Sequence, residues 1–522
     1  MAGLDKTLLD QIDFQKAIQR IRSDIKTDFI FAPHLNSIYK YADDFLSKTV
    51  TSELQNGAFK FNLPQLIDVP KASGLTRPGA ILFPKDRLLY QVLSDNMIDE
   101  VEKKLDREHV FSNVPSNDNE MFLPLSDCYR PFEDKIQEKC SLYKYCLRTD
   151  VASFFETIYQ HFLISQLSST HIQKEYINLL GKAISTWRET KSYGILQGMY
   201  PSDLFGNYYL SQVDYILKLK NFDFVRFVDD IYIFSNNEHD LKKIIVYICN
   251  TLRQQGLFLN ENKTLFAESK IICDQLLEFD RLFFDINNMF TMLRYEEKRA
   301  LYMIGYGFQI DWEIDEDDSD IKIIDGFRLD VVEELYKNKD TAKYQRDSII
   351  KFCLPLLTKF KSSLPLISIK DDISKFPHLV KYYAQYLATI ERNDESITQT
   401  IEEILLKNNF IYEYQQMWLF AVLLYRKNVS AEILKLCANY FLNKQVHESI
   451  RAICAIILST KGGGNDKKLL RDEYNNIKSI FLESAILYCT RYWMPDERKA
   501  CKKAWGSNNY LNELIIEVLK KI

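Results

Sequence analysis

The sequence predicts an α+β domain over residues 1–290, followed by an all-α domain over residues 291–522. Two observations predict this division. Short apolar runs typical of strands alternate with helix-period segments between residues 143 and 290, which indicates an antiparallel sheet with helices. After residue 290 the strand signals fade, and helix-period segments follow one another to the end of the sequence. A chain of 522 residues is also too long for one compact core.

The composition limits the class of protein. The chain is 46% hydrophobic and 13% aromatic, which is enough apolar material to fill large cores. Its net charge of −5 excludes a generally basic surface, so any nucleic-acid site has to be a local channel lined by Lys and Arg. No signal-peptide core is found, and the longest apolar run, 417–425, is far short of the ~20 residues of a membrane span. We therefore expect a soluble cytoplasmic protein with no membrane partner, and its ten scattered cysteines as buried thiols.

The first part of the chain is predicted to change from helix to strand and back. Residues 1 to about 60 carry apolar side chains at helix spacing. Residues 63–90 are punctuated by Pro and Gly, with short β-type runs between turns. A helix over 92–106 and a polar loop over 112–120 follow.

The region from 143 to 290 carries the clearest alternation of strands and helices. "YKYCLRTDVASFF" predicts a strand, "YINLLGKAISTW" a helix, and "PSDLFGNYYLSQVDYILKL" one long helix. "FDFVRFV" and "DIYIFS" predict two strands that meet at Asp229 and Asp230. "EHDLKKIIVYICNTLRQQG" predicts an amphipathic helix that ends at Gly256, since glycine favours the backbone conformation that terminates helices.

The last part is predicted to consist of stacked helical hairpins, HEAT-like in shape only, because no residue signature repeats. "KGGGNDKK" (461–468) is predicted to be a loop between helices. The acidic run 313–322 lacks the Gly and the closing Glu of a calcium loop and is predicted to be a solvated linker. The predicted helices cover 342–361, 374–391, 410–426, 430–443, 446–460 and 469–491.

Three carboxylates stand out chemically. Asp229 and Asp230 lie between two apolar runs, where desolvating adjacent like charges is costly. Asp150 ends an apolar strand further upstream, and strand ends can converge in a sheet. Three gathered carboxylates need counter-charge, and Mg²⁺ takes oxygen ligands and suits phosphoryl transfer. The alternative for the Asp pair is a water-exposed turn.

These segments resemble the motifs of reverse transcriptases, in the family order over residues 65–285. "FVDD" is similar to the YxDD box, with Phe227 in place of Tyr, and "DVASFF" is similar to the first catalytic motif. "TRPGAILFPKDRL" resembles the fingers strand of bacterial members. The resemblance implies reverse-transcriptase-like fingers and palm followed by the all-α, HEAT-like domain. The second motif and the lysine segment are matched by Gln197, Gly198, Ser202, Asn207 and Lys263.

The resemblance also implies the roles of the catalytic residues. Asp150, Asp229 and Asp230, with the Val151 carbonyl, would bind two Mg²⁺ ions, for which Mn²⁺ can substitute. Lys263 would protonate the leaving pyrophosphate, and its alternative is an ordinary surface lysine.

The resemblance implies a dNTP site as well. Phe155 falls at the steric-gate position and would exclude a 2′-hydroxyl, and its alternative is a plain core residue. The basic fingers residues would hold the triphosphate, and their alternative is a solvated loop. Gln197 and Gly198 would shape the floor under the nascent base pair. The residues predicted to contact substrate are Arg77, Lys85, Arg87, Phe155, Gln197, Gly198 and Ser202.

The missing thumb, maturase and endonuclease segments, together with the long helical half, resemble the bacterial abortive-infection (Abi) reverse transcriptases of the AbiK and P2-prophage kind. That resemblance implies phage defence, a homo-oligomer, and template-independent DNA synthesis primed by a tyrosine hydroxyl, with DNA covalently attached. Tyr39 and Tyr41 are candidates by N-terminal position, with packing as their alternative. Two other functions stay open: copying of an associated RNA, and a catalytically idle scaffold that binds nucleic acid or a partner.

Overall fold

The computed structural model describes residues 4–116, 120–290, 328–390, 394–407 and 409–522. The acidic run 313–322 lies outside the described residues. The strands are β1 (Gln65–Pro70), β2 (Thr76–Ile81), β3 (Tyr145–Thr149), β4 (Asp223–Phe227), β5 (Asp230–Ser235) and β6 (Leu265–Glu268).

The helices before residue 291 are α1 (Lys6–Leu9), α2 (Phe14–Asp24), α3 (Pro33–Tyr41), α4 (Asp43–Gln55), α5 (Pro84–Glu102), α6 (Leu125–Leu142), α7 (Phe154–Thr157), α8 (Gln160–Ser168), α9 (Lys174–Trp187), α10 (Tyr200–Tyr209), α11 (Ser211–Leu219), α12 (Glu238–Gln254), α13 (Ser269–Leu276) and α14 (Glu278–Phe290). Those after it are α15 (Leu329–Lys337), α16 (Arg346–Lys359), α17 (Ile369–Lys375), α18 (Val380–Thr389), α19 (Glu395–Lys407), α20 (Glu413–Leu424), α21 (Ala431–Leu442), α22 (Glu448–Lys461), α23 (Gly464–Glu473), α24 (Ile480–Cys489), α25 (Pro495–Trp505) and α26 (Tyr510–Lys521).

The palm is an antiparallel sheet of four strands in the order β4-β5-β3-β6. Pairing of β3 with β5 ends at Thr149 opposite Ile231, and the β4–β5 turn closes at Phe227 opposite Asp230. The predicted strand pair around the Asp residues is therefore confirmed, as is the helix that ends before Gly256, whose φ is +76°. The register brings the residue after β3 next to the first residue of β5. β1 and β2 form a separate hairpin in the fingers.

Several boundary predictions are wrong, among them the helix over 469–491, which is the end of α23, a short turn over 474–476 and the separate helix α24. The long helix predicted over 201–219 is two helices, α10 and α11, which divide at Leu210. The helix predicted to begin at residue 92 begins at Pro84, since proline is well suited to the first turn of a helix. The glycine-rich stretch is not all loop, because α23 begins inside it, where the Gly463 amide donates to Asp466 Oδ2 at 2.8 Å.

The helical half is built from helices stacked in sequence. One layer contains α16, α18, α20, α22, α24 and α26, each packed on the next, and α21 forms a hairpin with α22. This confirms the predicted helical architecture, while the HEAT-like description stays a prediction. None of the described helices is both long and apolar enough to cross a bilayer. Seven of the ten cysteines are buried and three are half-buried, all as free thiols.

The helical half packs directly on the fingers. The Phe83 and Phe481 rings lie 6.2 Å apart between centroids. Tyr412 donates its hydroxyl to the Gly74 carbonyl at 2.7 Å, at the tip of the β1–β2 hairpin. His447 Nε2 lies 2.7 Å from the Leu66 carbonyl on β1. The hairpin of the fingers is therefore fixed from the C-terminal side of the chain.

Candidate active site

The three predicted carboxylates meet at one edge of the palm sheet. Asp150 follows β3, is 4% exposed, and lies opposite Asp230 because Thr149 pairs with Ile231 in an antiparallel register. Asp229 precedes β5, and its carboxyl group hydrogen-bonds that of Asp150. The convergence expected from the strand pattern is therefore present.

The turn that presents Asp229 has a strained backbone. Val228 has a φ of +54°, which a β-branched residue adopts only when its surroundings impose it. Arg226 Nη1 donates to the Val228 carbonyl at 2.8 Å, and the Val228 amide donates to Ser112 Oγ at 2.9 Å. Both backbone groups of the strained residue are thus fixed by side chains from other parts of the palm.

A buried polar network supports this turn. Arg226 is fully buried and pairs with Asp214 at 2.6 Å. Its Nη1 also donates to Asn207 Oδ1 at 2.7 Å, and Asn207 Nδ2 donates to the Ser112 carbonyl at 3.0 Å. Asn207 therefore positions the turn through Arg226. Ser112, Asp214 and Arg226 were not predicted, although a lone arginine in the apolar strand "FVRFV" was a usable signal.

The electrostatics of the trio are unfavourable for the protein alone. Burial raises the pKa of Asp229 well above its ordinary value, and the charge and hydrogen bond of Asp150 raise it further. Burial and the charge of Asp150 likewise raise the pKa of Asp230, against the opposing charges of Arg148 and Lys263. A site that holds three carboxylates charged near neutral pH needs additional positive charge.

The protein supplies part of that charge at Asp150. Lys263 Nζ lies 2.7 Å from Asp150 Oδ2, with 57% of the lysine side chain exposed. Burial lowers the pKa of Lys263, but its hydrogen bond to Asp150 and the charges of the trio raise it overall. Asn260 is another residue that was not predicted. Its backbone amide donates to the backbone carbonyl of Asp150 at 2.7 Å. Among the residues the structure describes, Lys263 makes the one ion pair to the trio within 4.0 Å.

The trio fits divalent cations. Oxygen-rich donor sets with more negative charge than the protein neutralises are typical of Mg²⁺ and Mn²⁺ sites. Asp150, Asp229 and Asp230 would hold such ions, with the Val151 carbonyl as the predicted backbone ligand. Val151 forms an isolated antiparallel β-bridge with Leu259.

Among the described residues, the acidic group whose ligand atoms all lie within 4.8 Å of one another is not the trio but Asp106, Glu108 and His109. Its Asp106 already pairs with Lys218 at 3.0 Å and with His109 at 3.1 Å, so we assign no metal to it, and the trio would have to draw its carboxylates closer together to bind an ion.

Three predicted nucleotide contacts cluster around a phenylalanine. Gln197 is bridged to Gly79 of β2, and Gly198 has a φ of +95°. A Cβ at Gly198 would lie 2.6 Å from the Phe29 ring, so glycine is required there. The Arg77 guanidinium lies 4.8 Å from the centroid of the same ring. Arg77 Nε has no hydrogen-bond partner among the described residues, and burial lowers the pKa of this arginine against the charges of Tyr414, Tyr382 and Asp229.

Phe155 lies just beyond Asp150, on α7. Its side chain is 8% exposed, and its ring packs so closely on α10 that a Cβ at Gly206 would lie 2.9 Å from it. The position satisfies the packing interpretation and leaves the steric-gate role as a prediction.

Lys85, Arg87 and Ser202 have protein partners in this structure. Lys85 is buried and pairs with Glu53 at 2.7 Å. Arg87 is buried against Asp24 and Asp28. The Ser202 hydroxyl lies 3.0 Å from that of Tyr90. These contacts hold the fingers together, and a nucleotide contact for the three residues stays a prediction.

The two priming candidates differ in accessibility. Tyr39 is 3% exposed, and burial raises the pKa of its hydroxyl. Tyr41 is half-buried and lines a cleft between α3 and the helical half, with Lys40 Nζ 5.4 Å from its ring centroid.

The family comparison agrees with this geometry. A family model described as "Reverse transcriptase (RNA-dependent DNA polymerase)" matches residues 69–302, which include the whole carboxylate site. The chain contains a reverse transcriptase domain. The reverse-transcriptase resemblance of the motifs is thereby confirmed, whereas the abortive-infection type is not settled by the family model.

Two further likenesses were found. An "Uncharacterized 91 kDa protein in cob intron" of Schizosaccharomyces pombe is 27% identical over 192 residues, covering 35% of this chain and 22% of that protein. The chain thus spans about a fifth of the length of that curated relative. The structure of telomerase from Candida albicans, in complex with a TWJ fragment of telomeric RNA, matches at 12% identity with a TM-score of 0.30, covering 70% of each chain. A TM-score this low adds nothing to the assignment of the reverse transcriptase domain.

Proposed function

We propose that the protein is a DNA polymerase that joins deoxynucleotides by two-metal-ion nucleotidyl transfer. The observation that carries the proposal is the meeting of Asp150, Asp229 and Asp230 at one sheet edge with a single ion pair among the described residues. Divalent cations bound there would neutralise the carboxylates and stabilise the charge that develops on the reacting phosphate. The buried network around Arg226 gives the turn the rigidity that such chemistry requires.

The residues of the chain have distinct tasks in this reaction. An attacking hydroxyl loses its proton, its oxygen bonds to the α-phosphorus, and the bond from that phosphorus to the pyrophosphate oxygen breaks. The Lys263 ammonium, kept charged by Asp150, is the proton donor we assign to the leaving pyrophosphate. Arg77, with an unpartnered Nε among the described residues, is the cation we assign to the triphosphate.

We assign sugar selection to Phe155. A bulky ring beside Asp150 would meet a 2′-hydroxyl, so dNTPs would be preferred over NTPs. Phe155→Ala is expected to raise the ratio of ribonucleotide to deoxynucleotide incorporation about tenfold or more, because the ring that would clash with a 2′-hydroxyl is removed. Single-nucleotide incorporation with each class of triphosphate measures the ratio. Phe154→Ala is the matched control, and an unchanged ratio in Phe155→Ala would refute the gate.

We further propose that synthesis is primed by a tyrosine of the protein, needs no template, and serves abortive-infection defence against phage, with the enzyme acting as a homo-oligomer. The support is the helical half that packs on the fingers and the resemblance of the sequence to the abortive-infection group. Of the two candidates, the half-buried Tyr41 is the accessible one. Its hydroxyl would take the place of a 3′-hydroxyl as nucleophile.

The decisive experiment incubates the purified chain with Mg²⁺ and each labelled dNTP, without template or primer. A labelled product that protease converts to a smaller form supports protein priming. Tyr41→Phe is expected to abolish the labelled protein product, whereas Tyr39→Phe is expected to retain it. A labelled product in both variants would exclude Tyr41 as the primer. Replacing Mg²⁺ by Mn²⁺ tests the choice of metal.

Two alternatives give other outcomes in the same experiment. Synthesis only when RNA is added or co-purified indicates copying of an associated RNA. No incorporation under either condition, with Asp229→Asn indistinguishable from wild type, indicates an idle scaffold and contradicts the proposal. The stability cost of keeping uncompensated buried carboxylates speaks against the scaffold.

A further inference from the structure

A cleft of about 700 Å³ separates the N-terminal helices from the helical half. It is lined on one side by residues between Arg22 and Tyr41 and on the other by residues between Trp418 and Ile522, and we call it the junction cleft. Its lining includes none of the three carboxylates and none of the residues predicted to bind a nucleotide. The priming candidate Tyr41 does lie on its wall.

Basic side chains outnumber acidic ones along the junction cleft, in a chain whose net charge is −5, although Arg22 already pairs with Asp43 at 3.1 Å. Arg22, Lys26, Lys40 and Arg491 line it, and Asp28 is the acidic side chain among the lining residues. Lys26 and Lys40 are exposed. Such a local concentration of cations is what a polyanion requires of an otherwise acidic protein.

Aromatic rings alternate with these cations. Six rings line the junction cleft: Phe31, Trp418 and Tyr488 are buried in its wall, whereas Tyr41 and Tyr425 are half-buried and 38% of Tyr492 is exposed. The Arg491 guanidinium lies 4.4 Å from the Tyr492 ring centroid. Aromatic faces beside cations are the two components of sites that bind single-stranded nucleic acid, because rings stack on unpaired bases while cations follow the phosphates.

Two buried polar atoms on the wall also call for a ligand. Asn36 Oδ1 and Arg491 Nε have no hydrogen-bond partner among the described residues, and both residues line the junction cleft. Buried polar groups without partners are costly in a protein interior, and a bound polar molecule relieves that cost.

One short segment, residues 29–31, contacts both the wall of the junction cleft and two residues predicted to bind nucleotide. Phe29 packs against Gly198 and Arg77 on the active-site side. Two residues later, Phe31 packs on Trp418 at 5.8 Å between centroids and lines the cleft. A strand bound in the cleft would therefore contact a segment whose Phe29 also packs against Gly198 and Arg77.

We propose that the junction cleft binds single-stranded nucleic acid outside the catalytic site. A duplex is disfavoured because its paired bases present no free faces to the rings. The strand can be DNA or RNA, since phosphates and base faces are common to both. The inference goes beyond the proposed function and does not depend on catalysis, because it concerns binding alone.

Binding is measured by fluorescence anisotropy with the full chain carrying Asp229→Asn, in EDTA and without dNTPs. The probes are labelled oligothymidylate and oligouridylate of about 16 nucleotides, within the range one single-strand site covers. Lys26→Glu with Lys40→Glu is expected to weaken binding at least tenfold and to reduce the salt slope by about 1.4, since each lost phosphate contact contributes ~0.7. Lys182→Glu with Lys435→Glu makes the same charge change at exposed lysines elsewhere and is expected to leave the affinity unchanged.

Tyr492→Ala separates stacking from charge. It is expected to weaken binding about fivefold with an unchanged salt slope, because a ring is lost but no cation. A 5-iodouracil probe is expected to cross-link to peptides that contain Tyr425 or Tyr492. Tighter binding of one probe identifies the strand as DNA or RNA, and either supports the inference.

Three results would overturn the inference: wild-type affinity in the double Lys variant, equal competition by a duplex, or cross-links confined to the palm. Failure of the polymerase proposal is read separately, as absence of dNTP incorporation by the wild-type chain with Mg²⁺. The two failures are therefore distinguishable.

Discussion

Two carboxylate clusters lie before residue 291, and their charges are compensated in opposite ways; Asp24, Asp28 and Asp150 are buried, whereas Asp229 and Asp230 are half-buried. In the fingers, Asp24 and Asp28 share the buried Arg87, and Lys381 of the helical half donates to the Asp28 carbonyl at 2.9 Å. Burial raises the pKa of Asp28 to about 7, against the lowering effect of the Arg87 charge. In the palm, the three carboxylates have one ion pair, to a lysine that is more than half exposed, and the charge of Arg148 acts on Asp230.

The difference separates a structural cluster from a functional one. The fingers cluster contains its counter-charge in a fixed, buried form, so it serves to join the fingers to the helical half. The palm trio leaves charge for something that is not part of the chain. Carboxylates with a shifted pKa and a buried basic partner therefore indicate a structural role. Carboxylates with a shifted pKa and no such partner indicate a ligand site.

The sharpest break in the comparison is Asp229→Asn. We expect at least a ~10⁴-fold loss of nucleotide incorporation, roughly 5 kcal/mol, because a metal ligand is lost. We also expect an equal or higher unfolding temperature, since one like charge is removed from the trio. Incorporation kinetics and thermal unfolding measure the two effects. Near wild-type activity would remove the trio from the mechanism.

Arg87→Met should lower the stability of the protein more than its activity, the opposite of Asp229→Asn. Removing the counter-charge leaves Asp24 and Asp28 buried without it, so we expect the free energy of unfolding to fall by about 4 kcal/mol. Adding Asp24→Asn should restore part of that loss, and Arg253→Met, at an exposed site, is the control. Denaturant unfolding measures the change. A loss of activity without a loss of stability would instead support the predicted triphosphate contact of Arg87.

Lys263→Met tests the weaker counter-charge of the palm. We expect about a 10²-fold slower incorporation step, since a proton donor beside Asp150 is removed. The alkaline limb of the pH–rate profile should also disappear, which a purely structural role would not produce. Single-turnover kinetics across pH measure both, with Lys242→Met at an exposed site as control. An unchanged pH–rate profile would indicate that Lys263 is an ordinary surface lysine with no role as a proton donor.

The last prediction concerns stability alone, at His34, a buried base on α3 that faces the helical half. Burial lowers the pKa of His34 to about 3, beside the Phe481 ring at 4.6 Å between centroids. The unfolded chain then binds the extra proton below about pH 6.5, so the stabilising effect of the neutral ring is complete above that pH and is lost as pH falls. Wild type should lose about 1.4 kcal/mol per pH unit more than His34→Phe between pH 6.5 and 4. Denaturant unfolding at several pH values measures this difference, and equal slopes would contradict the buried neutral state.

The sequence was informative where a feature is local. The palm strands could be predicted from apolar alternation, and the meeting of Asp150 with the Asp229–Asp230 turn from strand ends and motif order. The break at Leu210 could not, because neither Pro nor Gly marks it. Burial of Lys85 and Arg87 was also unpredictable, since basic residues are usually exposed and their carboxylate partners come from distant helices.

The sequence by itself determined the chemistry of this protein: a carboxylate trio, the glycine turn at Gly198, and the change from mixed to helical structure after residue 290. These follow from residue type and short-range periodicity, which a linear pattern records. Only the tertiary structure decided that Arg226 and Ser112 fix the strained Val228, that Phe29 fills the space at Gly198, and that a basic aromatic cleft lies at the junction. Each of these depends on side chains distant in sequence packing together, and packing is a property of the folded chain alone.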